Sequence, residues 1–129
     1  MKLCILGGGL TGLSLAKSLV KKGLSIDIFL NKKKSDFNRS RTIGISNDNL
    51  MYFNKEILDI KKLFWDIKKI EIYSDNLKNE KILNFENNNK TVFAIIRNYQ
   101  LQSKLFKSLK KDKLCKFKQN FDYNLSNLK

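Results

Sequence analysis

Three glycines near the amino terminus have the spacing of a loop that can hold a phosphate group. Gly7, Gly9 and Gly12 fit the pattern G-x-G-x-x-G and lie between a short apolar run and a segment of helical periodicity. In such a loop the first glycine permits a tight turn, and the second lets the backbone approach a pyrophosphate. The third lets the helix pack closely on the strand. The spacing therefore predicts a dinucleotide-binding loop, for which the alternative is a purely structural turn.

The candidate ligand contacts are the whole loop and the residue after the next strand. The loop residues are Gly7, Gly8, Gly9, Leu10, Thr11 and Gly12. In dinucleotide sites the second strand commonly ends in an acidic residue that accepts hydrogen bonds from the adenosine ribose. Here the strand ends at Leu30 and Asn31 follows, so Asn31 is the predicted ribose contact, provided that the strand ends there. The run Lys32–Lys34 leaves an NADP 2′-phosphate open as an alternative partner.

The elements around the loop predict an α/β fold. Lys2–Leu6 is a nearly continuous apolar run, as expected for a strand buried on both faces. Apolar residues then recur at helical spacing from Leu10 to Val20, and Gly23 is expected to end this helix at its C′ position. Ser25–Leu30 reads as a second strand. Strand, turn, helix and strand within thirty residues predict a right-handed βαβ unit with parallel strands.

The rest of the chain alternates between strands and helices. Ser46 or Asn47 is expected to cap a short helix, and residues 57–67 read as helical or irregular. A second helix is expected from about Tyr99 to Leu109. The predicted strands are RTIGIS, KKIEIYSD and EKILNFE as a hairpin, TVFAIIRN, and KLCKFK.

Composition narrows the classes of function. The net charge is +14, but 23 of the 26 basic residues are lysines spread over nearly every segment, which indicates a solvated surface. A basic nucleic-acid-binding module is kept as an alternative, although no recognised binding motif supports it. The absence of histidine excludes His-dependent catalytic triads and His-ligated metal sites. Cys4 and Cys115 lack metal-ligand spacing, and both are expected to be buried thiols in a reducing compartment.

The amino-terminal apolar stretch superficially imitates a signal peptide. However, the glycines would weaken a helical apolar region, and KSLVKKG offers no small-residue cleavage site. No apolar run reaches the roughly 20 residues needed to span a bilayer. A cytoplasmic location is therefore expected.

Three stretches, in this order, resemble the aromatic-ring flavoprotein monooxygenases, especially the ubiquinone-biosynthesis hydroxylases of the para-hydroxybenzoate hydroxylase fold. CILGGGLTGLSLAKSLVKKGLSIDIF is similar to the FAD-binding βαβ unit of that family. RTIGISNDNLMYFNKEIL resembles the segment whose arginine approaches the FAD phosphates. KKIEIYSD and then FAIIRNYQLQSKLF resemble a substrate-domain hairpin followed by the return into the FAD domain.

The resemblance implies contacts to FAD at specific positions. It places Gly7, Gly9 and Gly12 at the pyrophosphate and Arg41 at the FAD phosphates, and a guanidinium suits that task through its rigid fork of donors. The alternative for Arg41 is an ordinary surface arginine. Arg97, or Asn98 beside it, falls where the family has a polar cofactor contact, and a solvent-facing strand end is the alternative there.

The resemblance also implies a function for the chain. It makes residues 1–129 the N-terminal part of an FAD-binding domain, with about 68–97 belonging to the start of a substrate domain. In this family FAD, reduced by NAD(P)H, hydroxylates a bound aromatic ring. A second FAD motif and most of the substrate domain do not follow Lys129, so the chain is expected to be inactive alone and to need a separately encoded C-terminal half. The alternative enzyme-class interpretation is a small NADP-binding Rossmann protein.

Overall fold

A computed structural model describes residues 2–30, 39–75, 80–88 and 90–119. It divides the chain into a first unit, residues 1–38 with 101–129, and a second unit, residues 39–100. No helix in the described part is long and apolar enough to cross a membrane. The elements are β1 (Lys2–Leu6), α1 (Leu10–Lys21), β2 (Ser25–Leu30), β3 (Thr42–Ser46), α2 (Asn47–Tyr52), a π-helical turn (Phe53–Ile57), β4 (Phe64–Ile67), β5 (Lys69–Tyr73), β6 (Lys81–Glu86), β7 (Phe93–Arg97), α3 (Asn98–Lys110) and β8 (Cys115–Gln119).

The first unit is built on a parallel sheet in the order β1-β2-β8. Helix α3 packs against this sheet, since the ring of Phe106 in α3 lies 4.4 Å from that of Phe117 in β8. The predicted α/β fold and the parallel pairing of β1 with β2 are therefore confirmed. The buried apolar residues of this unit are Leu13, Ala16, Val20, Ile26, Ile28, Leu101, Leu105, Leu109 and Cys115.

Helix α1 ends at the glycine that the sequence indicated. Gly23 has φ +81°, a conformation that side chains with a Cβ rarely adopt. Its N–H donates to the carbonyl of Val20, and the N–H of Leu24 donates to the carbonyl of Leu19. This pair of bonds is a Schellman motif, which satisfies two carbonyls at the helix end and turns the chain into β2.

Strand β1 is not buried on both faces, so that prediction was wrong. Leu3 and Ile5 are partly buried, whereas Lys2, Cys4 and Leu6 are exposed. The expectation that Cys4 is buried fails for the same reason, while Cys115 is buried as predicted. An apolar run is buried on both faces only if a second layer covers the sheet, and no element of the described residues covers this face of β1.

The second unit contains an antiparallel sheet in the order β3-β7-β4. Its core consists of Leu50, Ile57, Ile60, Ala94 and Ile96. The Ser46 hydroxyl caps α2 by accepting from the N–H of Asn49, as one of the two predicted caps. Residues 64–67 form strand β4 rather than the helical or irregular structure expected for 57–67. This prediction failed because the sequence FWDI is too short to show a period of its own, and its pairing with β7 decides its conformation.

A hairpin of β5 and β6 completes the second unit, as the alternating pattern predicted. Its pairs Ile70–Phe85 and Ile72–Leu83 form one apolar face, on which Ile72, Leu83 and Phe85 keep 43%, 48% and 47% of their surface exposed. On the other face, hydrogen bonds from Lys81 and then Lys69 lower the pKa of Glu71 from its ordinary 4.5 to about 2. The hairpin therefore combines a paired polar face with an open apolar one.

The two cysteines should differ in reactivity with a thiol reagent. Burial raises the pKa of the Cys115 thiol, with Asp112 adding to the effect, so little thiolate forms near pH 8. Cys4 is exposed and should react at least ten times faster under native conditions. Absorbance of released thionitrobenzoate, measured on the Cys4→Ser and Cys115→Ser variants, assigns each rate. Fast native labelling of the Cys4→Ser variant would contradict the fold around β8.

Candidate functional site

The glycine loop of the first unit is a tight turn tied to the sheet. Gly7 has φ +104°, which a residue with a Cβ would adopt only under strain. Its N–H donates to the carbonyl of Phe29 in β2 at 2.9 Å. The start of the loop is thereby fixed against the central strand, as the predicted role of the first glycine requires.

Gly12 of α1 lies close to the Gly7 backbone and to Ile5 of β1. A Cβ at this position would come within 2.8 Å of the carbonyl oxygen of Gly7 and 3.3 Å of Cγ2 of Ile5. Real side chains essentially never make the first of these contacts, and the obstacle is backbone, which cannot rotate away. The geometry therefore agrees with the predicted role of Gly12 in helix–strand packing.

Gly9 differs from Gly12 because the space beside it is open. A Cβ there would meet no atom within 4 Å. Gly9 is also the N-cap of α1 in an extended conformation, and no side chain caps the helix, whose first turn carries no acidic residue. The first N–H groups of a helix lack intrahelical partners and form its positive end. This open, uncapped helix start has the donors and the space that an anion requires.

A residue that sequence reasoning did not find supports the loop from α3. Nε2 of Gln102 donates to the carbonyl oxygen of Gly8 at 2.7 Å, in a partly buried position. The bond joins positions 94 residues apart, so no local pattern could have indicated it. Gln102 follows the buried Leu101 in α3, so it lies at the edge of the buried face of the helix. This position was the one feature of the sequence that could have indicated a contact with the loop. By holding Gly8, Gln102 fixes the direction of the loop backbone.

The apolar side chain of Leu30, at the end of β2, lies next to the glycine loop. A Cβ on Gly8 would come within 2.5 Å of Cδ2 of Leu30, so the Leu30 side chain lies against the loop. A carboxylate at this strand end would be suited to ribose hydroxyls, and leucine offers no acceptor. The predicted ribose contact Asn31 and the run Lys32–Lys34 lie outside the described residues.

In the second unit, the other candidate residues cluster where β3 begins and β7 ends. The N–H of Asn98 donates to the carbonyl of Arg41 at 2.9 Å, and Arg41 is exposed. Oδ1 of Asn98 is buried and has no hydrogen-bond partner among the described residues. The guanidinium of Arg97 lies over the ring of Trp65, 5.2 Å from its centroid. Of the two predicted alternatives, Asn98 thus has the acceptor in need of a partner, whereas Arg97 is engaged by an aromatic ring.

Within the described ranges, no group of three or more histidine, cysteine, aspartate or glutamate side chains is placed to hold a metal ion. No protein-family model matches the chain, and no curated protein matches its sequence.

Solved structures of flavin monooxygenases share the fold at low sequence identity. The p-nitrophenol 4-monooxygenase PnpA from Pseudomonas putida DLL-E4 is 15% identical with a TM-score of 0.71, covering 91% of this chain and 31% of that chain. PqsL, a probable FAD-dependent monooxygenase from Pseudomonas aeruginosa, is 13% identical with a TM-score of 0.72, covering 92% and 32%. HpxO from Klebsiella pneumoniae, complexed with FAD and uric acid, is 18% identical with a TM-score of 0.64, covering 91% and 30%.

These similarities establish the fold of the chain. It has the mixed α/β fold found in the N-terminal FAD-binding region of flavin monooxygenases. The chain spans about a third of the length of each of these three enzymes. The helices and strands of this chain thus follow one another in a fold that these solved structures share.

Two glycine variants should separate binding from folding. Gly9→Val places a side chain in the open space at the helix start, so it should abolish dinucleotide binding with little change in the melting temperature. Gly12→Val forces a side chain against the Gly7 carbonyl and should lower the melting temperature strongly. A dinucleotide titration beside a thermal melt tests both variants. If Gly9→Val binds like the parent, the loop is merely a turn.

Removal of the Gln102 amide should weaken the loop without unfolding the protein. Gln102→Leu deletes one partly buried hydrogen bond, for which the expected loss is about 0.5–1.5 kcal/mol in the free energy of unfolding. It should also reduce dinucleotide affinity, because the Gly8 carbonyl loses its anchor. Gln100→Leu, two residues earlier in α3, is the matched control. Equal effects of the two variants on affinity would refute a role for Gln102 in positioning the loop.

Proposed function

We propose that this chain binds the diphosphate of FAD as the N-terminal part of an FAD-dependent monooxygenase that hydroxylates an aromatic ring. The observation that carries the proposal is the open, uncapped start of α1 at Gly9, directly after a parallel strand. Backbone N–H groups at such a helix start bind phosphate oxygens, and the helix dipole favours the negative charge. The low-identity structural similarity to flavin monooxygenases supports FAD as the dinucleotide.

The residues present fit one portion of FAD and leave another unmatched. In the first unit the loop Gly7–Gly12 suits the pyrophosphate. In the second unit Arg41 offers a charged donor, and the buried Oδ1 of Asn98 lacks a partner among the described residues, as expected for a group that accepts from a cofactor. Leu30 does not fit, because it puts an apolar side chain where an acceptor for the ribose is expected. We therefore expect weaker FAD affinity than an acidic residue at position 30 would give.

In this proposal, bound FAD would supply the oxidising chemistry, with NAD(P)H as its reductant, oxygen as the co-substrate and an aromatic ring as the target. The residues of this chain bind and orient the cofactor: the loop holds the diphosphate, and Gln102 holds the loop. The neighbours are about three times as long, so we propose that turnover requires the further part of the fold that they contain. A role in ubiquinone biosynthesis and a cytoplasmic location are part of the same proposal. Restored ubiquinone synthesis in a hydroxylase-deficient strain that expresses this chain together with the remaining part of such a monooxygenase would test the former.

NADP is the second candidate ligand, and Leu30 is the observation that favours it. Without an acceptor carboxylate at the end of β2, a site discriminates less against a 2′-phosphate. In this alternative the chain is a small NADP-binding Rossmann protein. The same titration that tests the first proposal distinguishes the two.

Calorimetric titration with FAD, NAD and NADP tests the proposed function. We expect FAD to bind most tightly, and Arg41→Ala to weaken FAD binding by about 1.5–3 kcal/mol if the guanidinium reaches a phosphate. Arg39→Ala is the matched control, since Arg39 is a nearby exposed arginine that lies over the Tyr99 ring, 6.0 Å from its centroid. It should change the affinity less than twofold.

Two outcomes of this titration would count against the proposal. Clear preference for NADP without FAD binding would replace the flavin interpretation with the Rossmann alternative. Equal losses in Arg41→Ala and Arg39→Ala would reduce Arg41 to an ordinary surface arginine.

A further inference from the structure

A cavity in the first unit lies at the end of the sheet opposite the glycine loop. It has a volume of about 310 Å³ and is open to solvent. Its lining combines the amino ends of the three parallel strands with the turn before β8. The lining residues are Lys2, Ser25, Asp27, Lys113, Leu114 and Lys116. The glycine loop follows the carboxyl end of β1, so the two places are separated by the length of that strand.

Asp27 organises the floor of this cavity. Its carboxylate is 5% exposed and lies on the central strand, 2.9 Å from Nζ of Lys2 and 2.7 Å from Nζ of Lys118. Hydrogen bonds from Lys118 and then Lys2 hold the pKa of Asp27 below its ordinary value, so the group remains a carboxylate. The two lysines are thereby pinned in place, and the charge of the carboxylate is already neutralised.

Lys113 and Lys116 add charge that is not neutralised. Neither lysine forms an ion pair with an acidic side chain among the described residues. The cavity lining alone carries three lysines against one carboxylate, which leaves an excess of positive charge. Ammonium groups that line one cavity repel one another, and a multivalent anion relieves that repulsion.

The turn that carries Lys113 is held in place by its neighbours. Oδ1 of Asp112 accepts from the N–H of Leu114 at 3.2 Å, and Lys17 lies 3.7 Å from the same carboxylate group. The carbonyl of Leu114 accepts from the N–H of Ile26 at 2.7 Å. The backbone at Lys113 is therefore fixed relative to the sheet, which lowers the entropy cost of binding.

We propose that this cavity binds a multivalent phosphate, a di- or triphosphate group, separately from the dinucleotide loop. Lysine ammonium groups bind phosphate as point charges, and the Ser25 hydroxyl can donate a further hydrogen bond. The volume accommodates such a group, with room for part of a nucleoside. This site needs neither FAD binding nor monooxygenase activity, so it is independent of the proposed function.

Calorimetric titration of the full chain with tripolyphosphate and with ATP at about 0.15 M salt tests this site. Lys113→Gln/Lys116→Gln should weaken tripolyphosphate binding at least tenfold. Lys61→Gln/Lys62→Gln is the matched control, because it removes the same charge from exposed positions of the second unit. It should change the affinity less than twofold. Equal affinities for the two probes would indicate recognition of phosphate alone, and tighter ATP binding that the Lys113/Lys116 variant abolishes would indicate a nucleotide.

The Gly9→Val variant makes this test independent of the dinucleotide loop. It should keep the tripolyphosphate binding that depends on Lys113 and Lys116, even if it no longer binds FAD. Three results would overturn the proposal. The first is that the parent shows no saturable binding of tripolyphosphate in the millimolar range. The second is that the Lys113/Lys116 variant loses less than tenfold in affinity, or no more than its control, and the third is that Gly9→Val loses this binding. The last result would place the anion at the glycine loop.

Discussion

The first unit depends on one contact between backbones, the approach of α1 to β1 at Gly12. The absence of a Cβ lets the helix come close to the Gly7 carbonyl and to Ile5. Leu13 and Ala16 of the same helix are fully buried. A larger residue at position 12 would push α1 away from the Gly7 carbonyl and so change the helix start that we propose as the binding site. Packing and the proposed binding are therefore coupled through a single missing side chain.

The two ends of the parallel sheet also differ in the kind of charge that they present. At its carboxyl end, the site that we propose depends on the partial charges of the backbone amides at the start of α1. At its amino end, full charges on lysines surround the buried Asp27. Asp27 is the acidic residue of the second strand, and its side chain is engaged by Lys2 and Lys118. The many lysines of the sequence therefore suggest a binding site only where the fold brings several of them together.

The sequence was sufficient for features set by local chemistry. The Gly23 end of α1 and the Ser46 cap depend on residues within a few positions of one another, and the βαβ unit and the β5–β6 hairpin join segments that follow one another along the chain. Features set by distant partners could not be predicted. Cys4 is exposed because burial depends on a covering layer, and β4 forms because β7 pairs with it. The Gln102–Gly8 bond joins two segments that no periodicity relates. The candidate binding residues were predicted from motif spacing. Such spacing indicates where the backbone must turn or approach a ligand, but it does not indicate which distant side chains will contact that backbone.

The open apolar face of the β5–β6 hairpin has a consequence for the lifetime of the protein. A two-stranded hairpin is marginally stable by itself, so it opens locally at a lower free energy than the core of either unit. Each opening presents Ile72, Leu83 and Phe85 to proteases and chaperones, which act on transiently exposed apolar segments. Any molecule that covers this face slows such openings by mass action. The hairpin is therefore the part of the described structure at which degradation is expected to begin, at a distance in sequence from the glycine loop that we propose for binding.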